Sequence, residues 1–282
     1  MSLLQYEFMR RAFVVGILLS VIIPCIGIIV VLKRLSMIGD ALSHSSLSGV
    51  AMGLVVGVNP ILGAIVMCIA AALAIEVIRK RIPHYAEMAI AVILSASVGL
   101  AGILSGFAKN SASFNSFLFG SIIAFSDFEI VLVVCVSLAV MLAFVLLYKE
   151  LFFIAFDERL AGLAGVPVRT VNNIFTILAA VTVAVASRTV GVLIVSSTMV
   201  IPVACAMQFR VSYKRTVIFS ILFAVVFMVA GLYISYYARL KPGGTIVLLG
   251  VICLSVILLI KKQFPPNRGK NRDVLPSAPQ GD

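Results

Sequence analysis

AFVVGILLSVIIPCIGIIVVL, residues 12–32, is a stretch of sequence without a single charged side chain. An α-helix rises about 1.5 Å per residue, so this stretch is long enough to cross a bilayer core roughly 30 Å thick. It is too long for the apolar part of a signal peptide, and Lys33 and Arg34 follow it where small cleavage-site residues would stand. The stretch therefore predicts a first membrane-spanning helix.

The rest of the chain has a similar composition. Of its 282 residues, 62% are hydrophobic and only 12% are charged, with a mean hydropathy of +1.19. This leaves too little polar surface for a soluble enzyme. We predict an all-α, polytopic membrane protein with about nine transmembrane helices, or eight if two neighbouring runs form one span. The predicted spans are residues 12–32, 40–57, 60–78, 87–107, 128–148, 170–187, 191–209, 217–237 and 245–260. The apolar residues 114–125 are too few to span the membrane, and they predict an interfacial or re-entrant helix.

Basic residues indicate which side of the membrane each loop faces. The net charge is +11, and most of the 22 Lys and Arg residues fall on one side if the N-terminus is outside and the C-terminus is cytoplasmic. This arrangement follows the positive-inside rule, so the charge indicates cytoplasmic loops and anionic membrane lipid rather than nucleic acid. We expect a transmembrane domain over residues 1–262, with its longest hydrophilic connection in the cytoplasm. The basic, Pro-rich residues 263–282 are expected to form a disordered cytoplasmic tail.

Two ionisable residues at the start of the second predicted span are candidates for a functional site. Asp40 precedes His44 by four residues, which places both side chains on one helix face about 5–6 Å apart. A carboxylate oxygen and an imidazole nitrogen at that spacing can bind one divalent cation, and Zn²⁺, Mn²⁺ and Fe²⁺ all accept such ligands. Alternatively, Asp40 caps the helix and His44 makes a hydrogen bond to another helix. The spacing alone leaves both interpretations open.

Small or soft side chains around this pair leave room for an ion. Met37, which lies one turn before Asp40, and the serines Ser43 and Ser48 are candidates for the pore lining. Two ligands are too few for a tight site, so the others would come from a second copy, from other helices or from water. A weak site suits transit, because an ion that is bound tightly is not released.

The sequence lacks the common motifs of nucleotide hydrolysis and of intramembrane hydrolysis. It contains no GxxxxGKS or GxxxxGKT loop, no HExxH and no GxSxG. Neither a P-loop ATPase nor a zinc or serine hydrolase is therefore predicted. The five cysteines stand singly in apolar runs without a CxxC pair, which gives no indication of a disulfide framework or a structural zinc site. These absences favour a transport protein over an enzyme.

Three blocks of sequence together resemble a known family. They are KRLSMIGDALSH (residues 33–44), FDERLAGLAGVPV (residues 156–168) and VGVLIVSSTMVIPVA (residues 190–204). In this order they resemble the integral-membrane permease of zinc/manganese ABC importers, and the resemblance extends from the N-terminus to about residue 260. It implies the fold of a type II ABC importer permease in the bacterial cytoplasmic (inner) membrane.

The resemblance also implies partners and residue roles. Two permease copies, a homodimer, would form the pore; separate ATPase subunits would bind and hydrolyse ATP; and an extracytoplasmic metal-binding protein would deliver the ion. Asp40 and His44 would be the metal ligands. A cytoplasmic coupling segment, residues 150–169, would dock onto the ATPase. The residues implied in this docking are Asp157, Glu158, Ala161 and Gly165. The transported ion would be zinc rather than manganese or iron, with no permanently bound cofactor.

Two other classes of protein stay open as alternatives. A self-contained secondary carrier or channel for divalent cations would have no use for a coupling segment. An intramembrane enzyme built on Asp40 and His44 around a metal would need a further ligand or a general base, and the sequence shows neither.

Overall fold

The structure is a computed structural model that describes residues 7–82, 85–107 and 126–263, together with Leu118 and Gly120. The elements that it describes are α-helices: α1 (Glu7–Leu32), α2 (Ile38–Val56), α3 (Pro60–Arg81), α4 (Ala86–Ser105), α5 (Asp127–Leu146), α6 (Tyr148–Phe156), α7 (Glu158–Leu163), α8 (Val168–Thr189), α9 (Val192–Met207), α10 (Tyr213–Ala238) and α11 (Pro242–Gln263). The predicted all-α, polytopic fold is confirmed.

The long helices in the described part of the chain coincide with the nine predicted spans. Seven of them are long and apolar enough to cross a membrane. The other two are α2 and α9. Helix α2 has a lower hydropathy because it contains Asp40, His44 and several serines, and α9 has only 16 residues. Both are packed inside the bundle by longer helices, so neither has to supply a full lipid-facing surface.

Of three further predicted segments, one is helical in the structure and two lie mostly or wholly outside the described residues. Residues 148–169, expected as a hydrophilic connection, contain two short helices, because α6 buries Leu151 and Ile154 and α7 buries Ala161. Burial of these side chains orders the segment against the bundle. The predicted interfacial helix at residues 114–125 lies outside the described residues, apart from Leu118 and Gly120. The predicted tail lies outside them as well, beyond Gln263.

Local sequence signals explain where several helices begin. Asn59 accepts a hydrogen bond from the Ile61 amide, and Pro60 occupies the first turn of α3, where its missing amide hydrogen costs nothing. Helix α5 opens with a capping box, in which Ser126 and Glu129 each bind the other's backbone amide. These caps fix the residues at which α3 and α5 begin.

The α2–α3 contact is a close helix approach near the candidate site. A Cβ atom added to Gly49 would lie 2.3 Å from the Gly63 carbonyl oxygen, and a Cβ on Gly63 would lie 2.3 Å from the Gly49 oxygen. Only hydrogen fits at either position. The Cys68 thiol donates to the Leu42 carbonyl oxygen at 3.1 Å across the same contact. Helix α2 is thereby fixed to α3, and it also packs against α4, α8 and α9.

Ion pairs join helices at the end of the bundle where α1 begins. The Arg11 Nη1 of α1 lies 2.7 Å from the Asp127 Oδ1 of α5, and the Arg188 Nε of α8 lies 3.1 Å from the Glu129 Oε1 of α5. The second pair is the more buried, with side chains 17% and 12% exposed. Helix α5 is thus attached to α1 and α8 at this end.

Candidate functional site

An open stripe runs from Met37, the N-cap residue of α2, along the first two turns of a helix whose other residues are buried as far as Ala51. Met37, Asp40 and His44 are at positions i, i+3 and i+7 and therefore share one face. Met37 is 53% exposed, and Asp40 and His44 are partly exposed, while the side chains between them are buried. We call these three residues the open stripe. It brings together the two predicted metal ligands and the predicted methionine.

Asp40 is held by a hydrogen bond from another helix. The Ser196 hydroxyl of α9 donates to Asp40 Oδ1 at 2.5 Å. Asp40 does not cap α2, because the N-cap residue is Met37, which itself makes no side-chain cap. Among the described residues Asp40 Oδ2 has no hydrogen-bond partner. One carboxylate oxygen therefore fixes the orientation of the group, and the other is left for a cation.

His44 makes no hydrogen bond to any described residue, so the alternative of a helix–helix hydrogen bond is not realised there. The imidazole lies one turn along the open stripe from the Asp40 carboxylate. The described residues contain no group of three or more His, Cys, Asp or Glu side chains that could hold a metal ion. A single chain thus offers one carboxylate and one imidazole in this region, which is half of a usual four-ligand set.

Ser43 and Ser48 lie inside the helix packing and not on the open stripe. Both are completely buried in this single chain. The Ser48 hydroxyl donates to the Ser45 carbonyl oxygen, and Ser45 is hydrogen-bonded at 2.7 Å to Ser97 of α4. The Ser43 hydroxyl has no partner among the described residues. The serines therefore mainly allow close helix packing around the open stripe.

The coupling segment exposes an apolar surface on a short, well-capped helix. Asp157 accepts hydrogen bonds from the amides of Arg159 and Leu160, at 2.8 and 3.0 Å, and so begins α7. Gly165 follows α7 with a φ of +86°, a conformation that glycine adopts without strain. Leu160 and Leu163 are 63% and 86% exposed. Both leucines are therefore accessible on this ordered helix.

The other predicted coupling residues have structural roles within this chain. Ala161 is buried under α7. Glu158 binds Lys33, Arg79 and Asn172 in the bundle. Its pKa is lowered: burial alone would raise it, but the positive charges of Lys33 and Arg79 outweigh that effect. Sequence reasoning missed these three partners and Ser196, because each comes from a different helix or loop.

The structure is a bundle of several membrane-spanning helices. It carries ionisable groups on α2 and an ordered segment, α6 and α7, outside the spans. These features together indicate a membrane permease. The chain belongs to the ABC 3 transport family, whose model matches residues 5–262. It is 33% identical to a probable metal transport system membrane protein of Treponema pallidum, over 92% of this chain and 97% of that protein. It is 29% identical to the manganese transport system membrane protein MntC of Listeria monocytogenes, over 97% and 98% of the two chains.

Two solved structures share the fold. The chain is similar to one in the structure of PsaBC from Streptococcus pneumoniae in complex with Fab, with a TM-score of 0.83, 29% identity and coverage of 93% of this chain and 95% of that chain. It is also similar in fold to an inward-facing conformation of a putative metal-chelate type ABC transporter, with a TM-score of 0.73, 13% identity and coverage of 89% and 86%. The expected membership of an ABC permease family is confirmed.

Proposed function

We propose that this chain is the membrane-spanning permease subunit of an ATP-driven importer of divalent transition-metal ions, in which Asp40 and His44 bind the ion in transit. The observation that carries the proposal is the open stripe, where one carboxylate oxygen and one imidazole have no hydrogen-bond partner among the described residues, on a stretch of α2 whose other residues are buried from Ile38 to Ala51. Placing an ionisable group inside a membrane costs free energy, so such groups are rare and usually mark an ion or substrate pathway. The names of the similar proteins in Treponema and Listeria support a metal ion as the substrate.

A second copy of the chain would complete the site. Two open stripes facing one another would bring together two carboxylates and two imidazoles, a four-ligand set of oxygen and nitrogen. The same arrangement would remove the polar groups of each stripe from lipid. We therefore favour a homodimeric pore. An extracytoplasmic binding protein would deliver the ion on the side where α1 begins.

The identity of the ion depends on more than the two ligands. Carboxylate and imidazole groups accept both Zn²⁺ and Mn²⁺. The two ligands therefore do not distinguish the expected zinc from manganese, and the manganese transport proteins among the relatives favour manganese as the proposed ion. No resident cofactor is proposed, and ATP would be bound by the partner subunit.

The mechanism follows from the positions of the open stripe and the coupling segment. ATP binding would draw two ATPase subunits together under the coupling segments, and the helices would move as rigid bodies between outward-facing and inward-facing packings. The ligands would replace part of the ion's water shell during the transfer. A site with few protein ligands would then release the ion to the cytoplasm.

Uptake of radioactive manganese and zinc tests the proposed function. The host would lack its own importers for both metals and would express this chain with its candidate ATPase and binding protein. We expect saturable uptake that stops when the ATPase is omitted, with manganese preferred over zinc. Uptake of zinc alone would keep the mechanism and change the ion. Uptake that persists without the ATPase would instead support a self-contained secondary carrier or channel.

Replacing Leu163 by Glu is expected to weaken binding of the ATPase subunit at least tenfold. Leu163 is the most exposed leucine of the coupling segment, and a carboxylate in an apolar contact loses hydration without gaining a partner. Co-purification of the ATPase with tagged permease measures the effect. Leu163→Met keeps the apolar surface and serves as the matched control. Equal recovery of the ATPase with Leu163→Glu would contradict a docking role for this surface.

A further inference from the structure

A buried ion cluster joins the coupling segment to the helices that surround the candidate metal site. At its centre is Glu158, the first residue of α7. Its Oε1 atom lies 3.1 Å from Lys33 Nζ and 3.2 Å from Arg79 Nη1, and it accepts a hydrogen bond from Asn172 Nδ2 at 3.2 Å. These partners come from the α1–α2 connection, from α3 and from α8. One carboxylate therefore connects α7 with three parts of the bundle.

The cluster continues beyond Glu158. Arg79 also binds both carboxylate oxygens of Glu76, at 3.0 and 3.1 Å, and Lys33 Nζ donates to Asn172 Oδ1 at 2.6 Å. Lys80 Nζ lies 3.1 Å from Glu76 as well. Every charged group in the cluster thus has an oppositely charged neighbour. Its carboxylates and cations are held together by several bonds rather than by one isolated pair.

Burial makes these ion pairs costlier to break than surface ion pairs. The side chains of Lys33 and Glu76 are 7% and 8% exposed and that of Arg79 is 16% exposed, while that of Glu158 is 37% exposed. Burial lowers the pKa of Lys33, an effect that the nearby Glu158 opposes. Removing one member of a buried cluster leaves a desolvated charge behind, whereas an exposed pair loses little.

The cluster is connected to the open stripe in two ways. Lys33 directly follows α1 and stands seven positions before Asp40, across the short connection to α2. Arg79 belongs to α3, which contacts α2 backbone to backbone at Gly49 and Gly63. Through these contacts, a displacement of α7 that moves Lys33 and Arg79 would be passed on to α2.

We propose that Glu158 is a positioning residue that couples the docked α7 helix to α2, through Lys33 on the α1–α2 connection and Arg79 on α3, so that movement of the ATPase moves Asp40 and His44. This inference rests on the proposed function, because it needs an ATPase bound at the coupling segment. It differs from a docking role: Leu160 and Leu163 face outward on α7, while Glu158 faces the bundle. Loss of Glu158 should therefore uncouple transport from ATP hydrolysis and leave the complex assembled.

The test uses the complete complex of permease, ATPase and binding protein in proteoliposomes. With Glu158→Gln we expect normal co-purification of the ATPase, ATP hydrolysis within about twofold of wild type, and at least fivefold fewer metal ions transported per ATP. Glu87→Gln makes the same chemical change at an exposed carboxylate in the first turn of α4 and should keep the wild-type ratio.

A second variant approaches the same contact from the other side. Lys33→Gln should also lower the ratio of transport to hydrolysis, and the double variant Lys33→Gln/Glu158→Gln should be no worse than the stronger single variant, since both remove one link. Loss of ATPase co-purification in Glu158→Gln, an unchanged ratio, or additive effects in the double variant would each overturn the coupling role. A wild-type complex without ATP-dependent transport would instead refute the proposed function.

Discussion

Replacing Asp40 by Asn, or His44 by Ala, is expected to lower metal uptake at least tenfold and on the order of 100-fold. Loss of a residue that merely supports a metal ligand typically costs 10- to 100-fold in affinity or activity, so loss of the ligand itself should cost at least as much. Asp40→Asn is informative because an amide oxygen can still accept the hydrogen bond from Ser196. The orientation of the side chain is kept, while the negative charge is removed and the second oxygen is replaced by an amide nitrogen, which does not bind a cation.

The measurement is the initial rate of radioactive metal uptake, normalised to the amount of permease in the membrane. Glu87→Gln removes a carboxylate at an exposed site on α4 and should retain wild-type uptake. Full uptake by His44→Ala would return His44 to a structural role on α2. Full uptake by Asp40→Asn would remove Asp40 from the transport pathway.

Replacing Gly49 by Ala is expected to destabilise the folded protein by about 1–3 kcal/mol or more. The added methyl group would lie 2.3 Å from the Gly63 carbonyl oxygen, and its neighbours are backbone atoms that cannot rotate away. Helices α2 and α3 would have to separate, which would also open the Cys68–Leu42 contact between them. We expect the melting temperature in detergent to fall by at least about 3 °C.

A glycine elsewhere provides the matched comparison for this effect. Gly99 lies in the middle of α4, and a Cβ there meets nothing within 4 Å. Gly99→Ala should therefore keep or slightly raise the melting temperature, because alanine favours a helix over glycine. A Gly49→Ala protein as stable as Gly99→Ala would show that α2 and α3 are not in backbone contact.

The spans could be predicted from the sequence because hydrophobicity in a membrane protein is a local property. Each long apolar run became one helix, and only its ends moved by a few residues. The pair Asp40 and His44 could be identified for the same reason, since a spacing of four residues fixes their relation on any helix. The coupling segment was located as a block, although its division into α6 and α7 depends on buried side chains that no short pattern reveals.

Contacts between distant parts of the chain could not be predicted. Ser196 is 156 residues from Asp40 in sequence, and Lys33 is 125 residues from Glu158. Nothing in their local sequence distinguishes them from other serines and lysines. The positions of Ser43 and Ser48 also needed the structure, because the rotation of α2 about its axis decides which serines are buried. Gly49 and Gly63 are two of 20 glycines, and only the helix packing shows that they meet.

The open stripe also bears on how the protein is made. A newly inserted single protomer presents Asp40 and, about 6 Å deeper along the helix, His44 to whatever lies beside α2. Facing hydrocarbon, a charged side chain at mid-membrane depth costs about 2.5–3.5 kcal/mol on insertion scales, and less near the surface. In the proposed homodimer, a solitary protomer would therefore be less favourable than an assembled one. The residues proposed to bind the ion would then also favour assembled transporters over single protomers in the membrane.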